Sequence, residues 1–185
     1  MNRLASPAQL RASFVRWALF VVPAVLLLGF VSGRLGGEAA SDPWFQALDK
    51  PSIFPPPGVF GVVWPILYVV MGFAAAMVCA AWGSRYRLPA ILAFALQLLI
   101  NLSWTPVFFG EHEITLGLYI ILLLDVALLV TIVLFWKVRR AAALLLLPYL
   151  AWIGFATLLN WEFLQANPDG GREGTANGAV QRYEF

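Results

Sequence analysis

Two amides and a tryptophan share one face of a single apolar segment. Gln97, Asn101 and Trp104 stand at positions i, i+4 and i+7, which an α-helix places on the same side. Amides facing lipid would leave hydrogen-bonding groups unpaired, which costs several kcal/mol, so both should face the interior of a helix bundle. Interhelical hydrogen bonding explains Gln97 well, but it explains a tryptophan one turn below Asn101 less well.

Two further apolar segments carry comparable faces. Trp64 and Tyr68 are four residues apart, and the stretch from 148 to 160 contains a broad stripe made of Tyr149, Trp152, Ala156, Leu159 and Asn160. The small Ala156 between larger neighbours leaves room for a flat group. Each aromatic residue alone is more often a packing residue than a ligand contact. Three such faces together favour a pocket for an apolar, planar ligand.

Other residues that could do chemistry are isolated. Asp125 lies in the middle of an apolar segment, where a carboxylate is either functional or an acid that is protonated or paired with an amide between helices; we favour the second. His112 is expected to be a solvated loop residue, and Cys79 a small buried one. The sequence has no catalytic triad, paired carboxylates or metal-ligand spacing, so we predict no catalytic residues, no metal site and no conventional enzyme.

The composition indicates the class of protein to which these helix faces belong. Hydrophobic residues make up 61% of the chain and charged residues 12%, whereas soluble domains are nearer half apolar and a quarter charged. This predicts an integral membrane protein. A net charge of +2, without a basic cluster, gives no support for nucleic-acid binding.

Five apolar segments are long enough to cross a bilayer. They are residues 14–35, 59–82, 88–109, 114–136 and 141–164. The last four segments are separated by short polar breaks, so consecutive helices must run antiparallel to each other. The predicted fold is therefore all-α, an integral membrane bundle of five transmembrane helices. Residues 14–166 form the predicted domain, preceded by a cytoplasmic segment, 1–13, and followed by a disordered tail, 167–185.

Charge predicts the orientation. Eight of the twelve Lys and Arg residues fall on one side of the five-span arrangement, namely Arg3, Arg11, Arg16, Arg85, Arg87, Lys137, Arg139 and Arg140. The positive-inside bias places the N-terminus in the cytoplasm and the C-terminus outside. A cleaved signal peptide over residues 1–35 is the weaker alternative, because Pro23 and Gly29 suit a packed helix.

The loop at residues 36–58 is too apolar for a solvated linker. It combines a run of prolines with Trp44, Phe45, Leu48 and Phe54. Such a segment either folds over the end of the bundle as a lid or lies at the headgroups as an aromatic anchor, and physical reasoning alone leaves both open.

The chain resembles the TspO/MBR family, which includes translocator proteins, tryptophan-rich sensory proteins and peripheral-type benzodiazepine receptors. The resemblance extends from about Trp44 to Asn160. Four blocks carry it: Trp44, Leu48, Lys50-Pro51 and Pro55-Pro56; Trp64, Tyr68 and Gly72; Gln97, Asn101, Trp104 and Phe108-Phe109-Gly110; Pro148-Tyr149, Trp152, Phe155 and Asn160.

The resemblance implies a five-helix membrane protein, often a homodimer, with a pocket under the first loop for porphyrins such as protoporphyrin IX. The porphyrin would be a ligand, and no cofactor is required. The pocket residues that the family implies fall on Trp64, Asn101, Trp104, Trp152, Ala156 and Leu159. Phe45, Tyr68 and Tyr149 complete the predicted ligand-binding set.

Some positions depart from the family pattern. Phe45 replaces a tyrosine found in many members, which removes a hydroxyl contact to the ligand, and Ile53 replaces an aromatic residue. Gln165 stands where the sterol-recognition pattern requires a basic residue, so the sequence gives little support for sterol binding through that motif.

Three functions therefore compete. The leading hypothesis is a tetrapyrrole-binding sensor, transporter or regulator. The second is light-dependent porphyrin degradation, because the family links the tryptophans at positions 64 and 152 to that activity. The third is a structural or partner-binding membrane protein without a small ligand.

Overall fold

The computed structural model describes residues 6–37 and 41–170. In these residues it contains seven α-helices and no strand: α1 (Pro7–Leu35), α2 (Pro43–Ala47), α3 (Pro57–Cys79), α4 (Arg87–Thr105), α5 (Ile114–Val138), α6 (Arg140–Leu145) and α7 (Leu147–Ala166). Five stretches in this described part are long and apolar enough to cross a membrane. The predicted all-α membrane bundle is confirmed.

Helix α1 begins well before the apolar run that predicted it. Ser6 and Gln9 form a capping box, in which the Ser6 hydroxyl accepts from the Gln9 backbone N–H and Gln9 Oε1 accepts from the Ser6 N–H. Pro7 follows at the first helical position, where its missing N–H has no cost. Part of the predicted N-terminal segment is therefore helical, and residues 1–5 lie outside the described part.

The fifth span is interrupted. Pro148 has no backbone N–H to donate to Leu144, so the ladder breaks and α6 gives way to α7 around Leu146. The Leu146 N–H donates to the carbonyl of Ala143. Regular α-helical bonding resumes where the Leu150 N–H donates to the carbonyl of Leu146. Tyr149, at the start of α7, lies in the core and is fully buried.

The helices pack in a definite order. Helix α1 packs chiefly against α3, α4 against α5, and α5 against α7. Glycines allow the first of these contacts, because a Cβ at Gly29 would lie 2.3 Å from the Tyr68 ring and one at Gly72 would lie 2.8 Å from the Val22 Cα. Helix α1 is nevertheless the most peripheral of the spans, because only 11% of its most apolar 18-residue stretch is buried inside the bundle.

The segment between α1 and α3 folds over one end of the bundle. Asp42 caps α2 by accepting from the Trp44 backbone N–H at 2.9 Å. Trp44, Phe45 and Leu48 are then buried against residues of α5, α7 and the end of α4. We refer to residues 41–56 as the lid; residues 38–40 of the predicted loop lie outside the described part.

Candidate functional site

A cavity of about 400 Å³ lies beneath the lid, between α1, α3, α4, α5 and α7. Its described lining residues are Gly29, Gly33, Phe45, Phe54, Phe60, Trp64, Tyr68, Asn101, Trp104, Thr105, Phe108, Phe109, Ile121, Leu124, Trp152, Ile153, Ala156, Leu159 and Phe163. None of these side chains is charged. The volume falls within the range of small-molecule sites, about 300–1,000 Å³. We call this space the aromatic cavity.

Eight of the nine residues predicted to bind a ligand line the aromatic cavity, and Tyr149 does not. The Trp64 and Tyr68 rings stack with their centroids 5.4 Å apart, as expected for residues one turn apart on α3. Trp152 reaches the same space from α7 and makes an edge contact with Phe60 at 5.8 Å.

Tyr149 lies behind the cavity wall and is joined to it by a chain of buried hydrogen bonds. Tyr68 Oη donates to Asn101 Oδ1 at 3.1 Å, Asn101 Nδ2 donates to Tyr149 Oη at 2.9 Å, and Tyr149 Oη donates to Gln97 Oε1 at 3.2 Å. The chain joins α3, α4 and α7. Since both Asn101 groups are used, its side chain is held in one orientation at the cavity wall.

A second polar link holds Trp104 in place. The Trp104 indole N–H donates to Asn160 Oδ1 at 3.1 Å, and Asn160 Nδ2 donates to the carbonyl of Ile114 at 3.1 Å. Three spans therefore fix the plane of this indole. Gly117 provides the space, because a Cβ there would lie 3.1 to 3.5 Å from Phe108, Asn160 and Trp104.

Helix α4 ends in a π-helical turn, Pro106–Gly110, which forms part of the cavity wall. The Glu111 N–H donates to the carbonyl of Pro106, five residues back, at 3.0 Å. The wider turn allows both Phe108 and Phe109 to line the cavity, with Phe108 stacked on Trp104 at 4.8 Å.

Phe45 and Phe54 are the lid residues that line the aromatic cavity. The Phe45 ring contacts Phe54, Phe109 and Phe163 at centroid distances of 5.2 to 5.9 Å. Lys50 Nζ donates to the carbonyls of Phe45 and Gln46 and lies 5.2 Å from the Phe45 ring centroid. The lid is therefore continuous with the cavity wall.

The start of the predicted tail also contacts the lid. The buried Asn167 side chain accepts from the Asp49 N–H at 2.9 Å and donates to the Asp49 carbonyl at 3.0 Å. The Trp44 indole N–H donates to the carbonyl of Gly170 at 3.2 Å. Residues 167–170 thus act as a strap across the lid, whereas residues 171–185 lie outside the described part.

Several cavity residues were not predicted from the sequence. Phe60 lies four residues before Trp64, Phe108 four after Trp104 and Phe163 four after Leu159, so helical spacing from the predicted residues would have found them. Gly29 and Gly33 carry no such chemical signal. They line the cavity because they bring the α1 backbone close to it.

Asp125 stays outside the cavity and has a partner. Thr157 Oγ1 donates to Asp125 Oδ2 at 2.8 Å, which links the middle of α5 to α7. The partner is a hydroxyl rather than the amide considered from the sequence. The described residues contain no group of three or more potential metal ligands.

Comparison with known proteins identifies relatives for nearly the whole bundle. The TspO/MBR family model matches residues 20–165. The chain is 39% identical to the tryptophan-rich protein TspO of Chlorobaculum tepidum over 145 residues, 77% of this chain and 90% of that one. It is 34% identical to the tryptophan-rich sensory protein of Cereibacter sphaeroides, covering 82% and 92%. Identity to the human translocator protein is 39%, covering 64% and 71%.

Proposed function

Because the chain belongs to the TspO/MBR family of multi-pass membrane proteins, we propose that it binds a porphyrin or a similar planar, apolar molecule in the aromatic cavity. In this proposal the bound ligand is a signal or a cargo, so the protein acts as a membrane sensor, transporter or regulator. The observation that carries the proposal is the cavity itself, about 400 Å³ bounded by aromatic rings from three spans and the lid.

The chemistry of the walls supports this ligand class. Flat rings such as those of Trp64, Trp104 and Trp152 stack on planar molecules. Trp152 lines the cavity, and its buried indole N–H has no hydrogen-bond acceptor among the described residues. With no charged side chain on the described wall, the cavity suits the apolar body of a ligand and disfavours buried charge.

A titration tests the proposal. Protoporphyrin IX is added to the full chain in lipid nanodiscs, and binding is followed by porphyrin absorbance. We expect Trp64→Ala and Trp152→Ala to weaken binding about tenfold or more, since aromatic hot-spot side chains contribute about 2 kcal/mol or more. Trp136→Ala is the matched control, because Trp136 is exposed on α5 and lies outside the cavity.

The outcomes separate the three hypotheses. Equal affinity in all three variants would argue against this cavity as the binding site. No binding at any concentration would favour a structural or partner-binding protein. A new absorbing product on illumination, lost in Trp152→Phe, would favour the light-dependent alternative.

A further inference from the structure

His112, in the loop between α4 and α5, makes two contacts with the lid. Its Nε2 lies 3.1 Å from Asp42 Oδ2, and its ring stacks on Trp44 with centroids 4.5 Å apart and planes 18° apart. The sequence predicted a solvated residue, and the side chain is indeed 44% exposed. It nevertheless joins two segments that are 70 residues apart in the chain.

The backbone of His112 is held in an unusual conformation. Its φ is +57°, and it is the only non-glycine residue with a positive φ in the described part of the chain. The left-handed region is unfavourable for side chains with a Cβ and persists where surrounding contacts require it. Here the conformation places the imidazole between Asp42 and Trp44.

The contact is connected directly to the aromatic cavity. Asp42 is the N-cap of α2, and its other oxygen accepts from the Trp44 N–H. Phe45, the next residue, lines the cavity. Because α2 has only five residues, holding its first turn also holds Phe45.

We propose that His112 is a proton-dependent latch that positions the lid and sets how long a ligand remains in the aromatic cavity. The residence-time part rests on the proposed function. A protonated imidazole donates a charge-assisted hydrogen bond to the Asp42 carboxylate, which is stronger than the bond from a neutral ring. Imidazoles change charge between about pH 5 and 8, so the lid is held more tightly at the acidic end.

The charged residues of the loop, the lid and the strap that meet here are mostly acidic. Glu111 and Glu113 flank His112, Asp42 and Asp49 lie in the lid, and Asp169 belongs to the strap. Lys50 is the basic residue of the lid, and its ammonium is directed to the carbonyls of Phe45 and Gln46.

The test compares variants that keep the backbone and change the charge. His112→Asn removes the imidazole but tolerates a positive φ. Asp42→Asn removes the carboxylate while retaining an effective N-cap. His112→Arg supplies a permanent cation that can stack on Trp44. His112 is the only histidine in the chain, so no other imidazole contributes.

Two measurements are made between pH 5.5 and 8. Hydrogen–deuterium exchange of the lid is measured on the full chain without ligand, and protoporphyrin IX release is measured from nanodiscs into excess empty vesicles. Each rate is divided by that of His112→Asn at the same pH, which cancels intrinsic exchange and the ligand's own titration. We expect the wild-type ratio to fall about two- to fivefold as the pH is lowered, the range for an exposed ion pair.

The variants decide the outcome. Asp42→Asn should give a flat ratio, and His112→Arg should remain slow at every pH. A wild-type ratio without pH dependence, or one retained in Asp42→Asn, would overturn the latch. Lid exchange that changes with pH while porphyrin release does not would overturn its control of residence time. Absence of porphyrin binding at any pH would count against the proposed function alone, and the exchange measurement would still decide the latch.

Discussion

Gly29 on α1 faces the ring of Tyr68 on α3 at close range. A Cβ there would lie 2.3 Å from the Tyr68 ring, which is held by its bond to Asn101, whereas a Cβ at Gly33 would meet no atom within 4 Å. Gly29→Ala should therefore lower the free energy of unfolding by about 1–3 kcal/mol relative to Gly33→Ala. Both variants gain the same helix propensity, so the difference isolates the steric effect.

Denaturant unfolding in detergent micelles measures this difference. Equal stability of the two alanine variants would show that Tyr68 can move aside without loss.

Spacing predicted which residues share a face, but it did not predict how deep each one lies. Asn101 and Trp104 were predicted from their separation along α4, and both line the cavity. Tyr149 was predicted by the same reasoning, but it is fully buried and does not line the cavity. A helical period gives a direction and carries no information about distance from the bundle axis.

At the scale of the helices, one hydrogen bond joins the centres of α5 and α7. Thr157→Val keeps the side-chain shape but removes the donor to Asp125. We expect a loss of about 0.6 kcal/mol, the average for such bonds between membrane helices, and at most about 1.7 kcal/mol. Asp125→Asn retains an acceptor and should be closer to wild type.

A double-mutant cycle of Thr157→Val with Asp125→Ala measures the pair itself. A coupling energy near zero would mean that the bond contributes nothing to helix association. Wild-type porphyrin affinity is expected in all three variants, since neither residue lines the cavity.

The number and order of the spans could be predicted because continuous apolar runs are unambiguous in a membrane protein. The ends of the helices were less predictable. Helix α1 begins at Pro7 rather than near residue 14 because a capping box precedes the apolar run. The fifth span was predicted as one helix, and Pro148 divides it. Local hydrogen bonding determines these ends, and hydropathy does not detect it.

At the scale of the whole molecule, the end of the last helix secures the lid near the beginning of the chain. Compared with a chain that ends after Gly170, a chain that ends after Ala166 should show lid exchange that is faster by about tenfold or more. The second truncation removes the Asn167 and Gly170 contacts, and hydrogen bonds contribute about 0.5–1.5 kcal/mol each.

Asn167→Ala in the full chain is the matched variant, and it should reproduce most of the effect. Equal exchange in the two truncated proteins would show that the contacts of residues 167–170 do not hold the lid.

Long-range contacts of this kind could not be predicted from the sequence. Asp42 and His112 are 70 residues apart, and Asp49 and Asn167 are 118 apart. No periodicity connects such positions, because they come together only after the five spans have packed. The sequence indicated an apolar loop with a lid as one possibility, whereas the residues that fasten it became visible in the structure.

The π-helical turn at Pro106–Gly110 affects how insertions and deletions would act. Helix ends beside short loops usually accept a change in length. Here the loss of one residue would convert the turn to α-helical bonding and rotate the following side chain by about 100°, the angle per residue of an α-helix. Phe109 could then no longer face the cavity beside Phe108. The length of the chain at this point is therefore as constrained as the identity of its residues.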